Sequence, residues 1–248
     1  MSEPMPQYVY GIVERKAPAP SGEGIGGTPL RVIADDGAAA LVSELQQREL
    51  TLGREELLAH ARVLENAVSS GTVLPMRFGI VMEGEEEVRQ RLLQAHCDEL
   101  RTQLERFSDK VEVSIRATYD EQQLMREVVA ENPDVRRLRE SVRSKPEDAT
   151  YYERIRLGEL VSKAVEYKRE ADSAAILEAL WPCASDLHVG AGAHERVALS
   201  AAFLVERNRL HQFDQALEGF AQGQAGRLHF KYTGPLPPYS FVELSEGT

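Results

Sequence analysis

The sequence lacks most of what catalysis or membrane insertion would need. Its longest apolar runs fall well short of the roughly 18 residues that span a bilayer, so no transmembrane helix is expected. Residues Met1–Gln7 contain no basic stretch followed by an apolar one, and no secretory leader is predicted. Cysteine is scarce, with only Cys97 and Cys183 in 248 residues. Their separation excludes zinc spacing, and both read as small hydrophobes in a reducing, cytoplasmic setting. Positive charge is also in deficit: 29 Lys and Arg stand against 40 Asp and Glu, for a net charge of −11. An acidic surface of this kind repels phosphate backbones and anionic lipid, which argues against nucleic-acid or membrane partners.

Catalytic patterns are missing as well. No Gly-x-Ser-x-Gly elbow occurs. The histidines, His60, His96, His188, His194, His211 and His229, include no His-Glu-x-x-His pair. His96 and Cys97 are adjacent, and adjacent helical residues point apart. These histidines are expected on the surface or half-buried, with no metal. Gly190-Ala-Gly192 begins like a dinucleotide fingerprint, but Glu195 stands where a third glycine belongs and a strand follows instead of a helix, so a hairpin turn is expected. Gly22–Gly27 lacks the Lys-Ser/Thr ending of a phosphate loop. The acidic run Glu83-Gly-Glu-Glu-Glu87 suits a solvated helix start. No catalytic residue, cofactor or small-molecule substrate is therefore expected, and the protein is read as a non-enzyme, with an enzyme that carries none of these patterns as the alternative.

What remains is the material of an α+β fold. The hydrophobic fraction of 42% is enough for a core. Gln7–Glu14 alternates as a strand, and a Pro/Gly/Ala-rich loop, expected to be mobile, fills 16–28. Leu30–Ala34 is a second strand, and Asp35-Asp36-Gly37 a turn. Ala38–Leu45 reads as its hairpin partner, with a short helix as the alternative. Arg54–Ser70 has helical spacing through Leu57, Leu58, Ala61, Leu64 and Val68, and Gly71 sits at its C-cap. Val73–Val81 is extended, but Pro75 confines it to a sheet edge or a bulge. Glu83–Phe107 is predicted as one long amphipathic helix.

In the second half, Val111–Ala117 is a strand. Helices follow at about 120–144, broken at Asn132-Pro133, and at 148–180. Strands are predicted at Asp186–Gly190 and Arg196–Val205, a helix at Arg209–Ala221, and a strand at Arg227–Tyr232. The order is that of a ferredoxin-like βαββαβ unit with a helical insertion at about 120–182. Two domains are predicted, 1–109 as an α+β domain and 110–248 as the modified ferredoxin-like one. Tyr151, Tyr152, Ile155, Leu160, Ala164, Tyr167 and Ala171 form a stripe expected to pack in the core; a groove for a partner helix is the alternative. Pro235-Leu-Pro-Pro238 is expected to form a strap that lays Tyr239 and Phe241 against the body.

Several stretches resemble the GvpF/GvpL family of gas vesicle proteins. They are Tyr8-Val-Tyr-Gly-Ile-Val13, Ala39-Ala-Leu-Val-Ser43, His60-Ala-Arg-Val-Leu-Glu65, Thr72-Val-Leu-Pro-Met-Arg-Phe-Gly79, Ala202-Phe-Leu-Val205 and Tyr232-Thr-Gly-Pro-Leu-Pro-Pro-Tyr-Ser-Phe241, in family order along nearly the whole chain. Leu236 and Ile80 depart from the common Trp and Thr. The resemblance implies a gas vesicle assembly protein that acts with the hydrophobic shell protein GvpA and other accessory proteins. Its implied role is to limit shell-protein aggregation during nucleation, or to be built permanently into the vesicle. Two segments are candidates for protein binding. One is the sheet edge with Arg77 and Phe78, because edges accept further strands. The other is the strap with Tyr239 and Phe241.

Overall fold

The computed structural model describes residues 5–46, 53–146, 149–190 and 196–243. By contacts the chain divides into two compact units. The first comprises Met1–Val113, Leu204–Arg207 and Gly234–Thr248; the second comprises Ser114–Phe203 and Asn208–Thr233. Both mix helix and sheet, the α+β composition read from the sequence.

The first unit is built on an antiparallel sheet of β1 (Gln7–Val13), β2 (Leu30–Ala34), β3 (Ala39–Glu44), β4 (Val73–Pro75) and β5 (Val81–Met82). The order is β2-β3-β1-β4, with β5 also paired to β1. The Asp35 N–H donates to the Ala38 carbonyl at 3.0 Å, closing the predicted β2–β3 hairpin. All seven residues of β1 are buried. Its register to β3 slips between Val9 and Gly11, a bulge at Tyr10. The bulge brings Tyr10 and Gly11 together towards α1 (Arg54–Ser70), where the Tyr10 ring stacks on His60. A Cβ at Gly11 would lie 2.7 Å from the Leu74 carbonyl oxygen and 3.1 Å from Leu64 Cδ2, so only glycine fits there. The loop at 16–28, expected to be mobile, is pinned: Ile25 is buried, and its N–H donates to the Tyr10 hydroxyl at 2.7 Å.

Helix α1 starts with Glu55 and Glu56 in its first turn, where carboxylates suit the helix dipole. Its buried face is His60, Val63, Leu64, Ala67 and Val68. That face is rotated from the expected one, leaving Leu57 and Leu58 half exposed. The single helix predicted over Glu83–Phe107 is segmented. A short α2 (Glu85–Glu87) continues as a π-helical stretch, Val88–Gln94, and α3 (Cys97–Arg106) follows a break at His96. The π stretch adds a residue to the turn, which keeps Val88, Leu92 and Leu93 buried together.

The second sheet has the order β7-β8-β6-β9, from β6 (Lys110–Tyr119), β7 (Asp186–Val189), β8 (Val197–Glu206) and β9 (Leu228–Leu236). Between β6 and β7 lie α4 (Glu121–Glu131), α5 (Pro133–Arg143) and α6 (Tyr151–Leu180), and α7 (Leu210–Gly223) joins β8 to β9. Asp120 caps α4 by accepting the Gln123 N–H at 2.8 Å. Asn132 ends α4 and caps α5, with Pro133 in the first turn, so the predicted break is where the sequence puts it. Phe203 and Phe213 pack edge to face, 5.2 Å apart, and join β8 to α7.

The stripe on α6 is a correction. Tyr151, Tyr152, Ile155 and Tyr167 are exposed, and only Ile176 and Leu180 are buried among the 30 residues of the helix. Burial at its C-terminal end suffices to hold a helix this long, and the rest packs along one side on α4 and α5. Gly192, His194 and Glu195 lie outside the described residues. Gly190 donates its N–H to the Ser200 carbonyl at 2.9 Å, tying the end of β7 to β8.

Candidate interaction site

Two segments of the first unit carry the candidate binding residues. The first is a loop at the sheet edge. Pro75 ends β4 opposite Gly11, and β1 resumes pairing with β5 only at Tyr8↔Val81. Residues 76–80 leave the ladder between these points. The loop is fixed at both ends, because Met76 donates its N–H to the Tyr10 carbonyl at 2.9 Å and Ile80 accepts from Val9 at 3.0 Å. Gly79 has φ +96°, a left-handed conformation that turns the chain back to β5 and favours glycine.

Two side chains brace this loop from inside. The Tyr8 hydroxyl accepts the Gly79 N–H at 3.0 Å and lies 2.9 Å from His60 Nδ1. His60 also hydrogen-bonds the Met76 backbone. The consistent assignment is a neutral imidazole that donates to Met76 and accepts from Tyr8. Burial pushes the His60 pKa below its ordinary 6.5, against the opposing pull of the Met76 bond. Burial also pushes Tyr8 up to about 12, with the Gly79 N–H opposing and Tyr10 adding to the rise. Phe78 is half-buried, its ring 5.7 Å from His60 and 6.4 Å from Tyr8. Arg77 is exposed beside it. The loop therefore presents a guanidinium next to a partly open aromatic ring.

The second segment is the strap. Pro237 and Pro238 are buried, and Phe241 is only 7% exposed. The buried Glu112 carboxylate accepts the Ser240 N–H at 2.7 Å and the Ser240 hydroxyl at 3.0 Å. The Gln103 amide exchanges hydrogen bonds with the Glu243 backbone, donating to its carbonyl and accepting its N–H at 3.3 Å. Tyr239 is 43% exposed, and its phenol is pushed up to about 12 by burial and by the charges of Glu65 and Glu112. The two strap residues thus separate: Phe241 anchors, and Tyr239 faces outward. Arg77 and Phe78 share one loop, and the ring contacts of Phe78 run to Tyr8 and His60.

His60 is the residue sequence reasoning missed. It is 4% exposed, where a surface or half-buried position was expected. Its place in an otherwise apolar helical face was the available signal. A second missed feature lies in the second unit. Arg227 donates from Nε to Glu127 at 2.9 Å and from Nη2 to Asp172 at 2.6 Å. Lys168 donates to Glu127 and Glu131, each at 2.9 Å, and the Tyr119 hydroxyl donates to Asp172 at 2.7 Å. The only sequence signals were the i,i+4 pairs Glu127/Glu131 and Lys168/Asp172. Every charge in this cluster is matched by another, which suits a structural clasp between α4, α6, the end of β6 and the turn before β9.

Among the described residues, no group of three or more His, Cys, Asp and Glu could hold a metal ion, and no helix is long and apolar enough to cross a membrane. Cys97 and Cys183 are free and half-buried, more open than their expected role as core hydrophobes.

A split-edge sheet with a braced loop and a proline strap defines an α+β protein whose distinctive parts are surfaces. Residues 6–243 match the family model described as "Gas vesicle synthesis protein GvpL/GvpF". Gas vesicle protein F of Streptomyces sp. (strain CB03234) is 36% identical over 244 residues, covering 96% of this chain and all of that protein. Gas vesicle protein F of Dolichospermum flosaquae is 27% identical, covering 97% of this chain and 98% of that one. The crystal structure of GvpF from Anabaena sp. PCC7120 superposes with a TM-score of 0.86 at 26% identity, over 98% of this chain and 100% of that chain. GvpF from Microcystis aeruginosa superposes with a TM-score of 0.79, also at 26% identity, over 97% of this chain and 100% of that chain. This chain belongs to the GvpL/GvpF family, a family of gas vesicle proteins involved in gas vesicle formation.

Proposed function

We propose that this protein binds the hydrophobic gas vesicle shell protein GvpA and limits its aggregation while vesicles nucleate. Free shell protein exposes apolar surface that associates in water. A partner that covers this surface lowers the concentration free to aggregate, and a net charge of −11 keeps the complex dispersed. The observation that carries the proposal is the sheet-edge loop. It is braced from within by Tyr8 and His60, and it presents Arg77 and Phe78 at an interrupted edge. Tyr239 on the strap is the second contact, with Phe241 holding the strap in place. The strand order β7-β8-β6-β9, with the first and third of the four strands central, supports reading the 110–248 half as ferredoxin-like.

Co-expression with GvpA tests the proposal. The soluble fraction of GvpA should rise with this protein present. It should fall back towards the level of GvpA alone with Arg77→Ala/Phe78→Ala, while circular dichroism shows an intact fold. If GvpA is no more soluble with the wild-type protein than without it, the capping role is wrong. If the double variant still captures GvpA fully, the loop is not the contact.

A further inference from the structure

Helices α4, α5 and α6 of the second unit enclose a groove of about 730 Å³. Its apolar lining is Met125 and Val129 on α4, Val135 on α5, and Leu157 and Val161 on α6. Met125/Val129 and Leu157/Val161 are i,i+4 pairs, the ridges between which another helix seats its own side chains. The lining of α4 runs from Glu121 to Val129. At 1.5 Å per residue that is about 12 Å, or two helical turns. Three helices with one such channel lack the fourth that would close a bundle.

Charge selects the occupant. Arg126 and Arg139 also line the groove. Among the described residues, Arg126 donates only to Gln122 of the preceding turn, at 3.5 Å, and Arg139 makes no ion pair. Three other cations are paired by contrast: Arg137 with Asp134, Lys145 with Glu153, and Arg196 with Glu121. The groove is thus an apolar floor rimmed by two guanidiniums that have no carboxylate partner among the described residues.

We propose that this groove docks an acidic amphipathic helix of a partner protein. The apolar face of that helix lies on Met125, Val129, Leu157 and Val161, and its flanking carboxylates meet Arg126 and Arg139. Helix-in-groove recognition of this kind reads anchors at i, i+4 and i+7, and opposite charge at the rim fixes the register. The site is separate from the Arg77/Phe78 loop and does not depend on the role proposed for it.

The test uses the full-length protein and a fluorescein-labelled helical peptide about four turns long, with Leu at i, i+4, i+7 and i+11 and Glu at the flanking positions. Saturable anisotropy is expected, weakening as salt is raised. Arg126→Glu with Arg139→Glu should weaken binding about tenfold or more. Met125→Asp, which keeps both cations, should also abolish it, and circular dichroism should show both variants folded. A peptide with Lys in place of Glu, and a scrambled Glu peptide, should not bind. Absence of saturable binding by the Glu peptide would overturn the proposal, as would equal binding by the Lys peptide or unchanged binding by the charge-reversed variant. Sedimentation velocity covers a second copy of this chain: self-association that Arg126→Glu/Arg139→Glu abolishes would assign the groove to that copy instead. Binding to phosphatidylglycerol vesicles, lost in the same variant, with no peptide binding would assign it to anionic lipid.

Discussion

The Tyr8 hydroxyl lies 2.9 Å from Nδ1 of His60, and the same oxygen accepts the Gly79 N–H. One phenol and one imidazole therefore brace the loop that carries Arg77 and Phe78. His60→Ala removes the Tyr8 partner and the Met76 bond inside a buried cluster. Leaving such groups unmatched costs about 1–3 kcal/mol, read as a lower urea midpoint at unchanged slope.

The same histidine gives a pH dependence with a definite sign. Its folded-state pKa is below 6.5, so the unfolded chain takes up the proton first. Its contribution is complete above about pH 6.5 and is lost as pH falls below that value. The titratable groups against it, Tyr8 and Tyr10, both have raised pKa values and stay neutral in this window. The fall in Tm between pH 7.5 and 5.5 should be smaller in His60→Gln than in the wild type. An equal fall would show that His60 does not titrate with unfolding.

Gly11→Ala should destabilise the first unit without touching any charge. The new Cβ would stand 2.7 Å from the Leu74 carbonyl oxygen, a backbone atom that cannot turn aside. Overpacking of this kind costs about 1–3 kcal/mol, measurable by chemical denaturation.

The strap depends on Glu112. In Glu112→Gln, an amide replaces a carboxylate that accepts from both the N–H and the hydroxyl of Ser240, so one of its two acceptor atoms becomes a donor. Ser240→Ala loses only the hydroxyl bond. Hydrogen exchange at the Ser240 amide should quicken in both variants, and more in Glu112→Gln.

In the second unit, Arg227→Ala leaves Glu127 and Asp172 without their shared cation. Removing one partner of a buried pair costs about 3–5 kcal/mol. These groups keep 15–21% of their side-chain exposure, so a loss nearer 2 kcal/mol is expected after solvent screening. For Glu127, burial alone would raise the pKa, but hydrogen bonds from Lys168 and Arg227 outweigh it and hold the group below 4.5. Its stabilisation is present above that value and is lost as acid protonates it. Arg227→Ala should therefore flatten the acid limb of a stability-against-pH curve.

The sequence showed its elements where local chemistry fixes them. Asn132-Pro133 breaks a helix because proline has no N–H and restricts the residue before it, and the structure breaks there. Pro75 marked an interrupted edge for the same reason, and β4 stops at it. What could not be read depends on contacts distant in sequence. Nothing local says that the Glu83–Phe107 pattern winds into a π turn and stops at His96. The apolar spacing of α6 looked like core, yet Tyr151 and Tyr152 are exposed, because periodicity records amphipathicity and not what covers it. The loop residues Arg77 and Phe78 were visible in the sequence; the His60 and Tyr8 brace beneath them joins residues 52 apart, and only the fold shows it.

The bond from Ser240 to Glu112 closes a separation of 128 residues. Translation adds roughly 5–20 residues each second, so about 6–25 s pass between the synthesis of one partner and the other. The first unit is thus begun by residues made before the second unit and finished by residues made after it. A nascent chain cannot complete the first unit before it has made the second. A nonsense mutation in the codons for residues 234–240 would therefore damage the unit that was begun first.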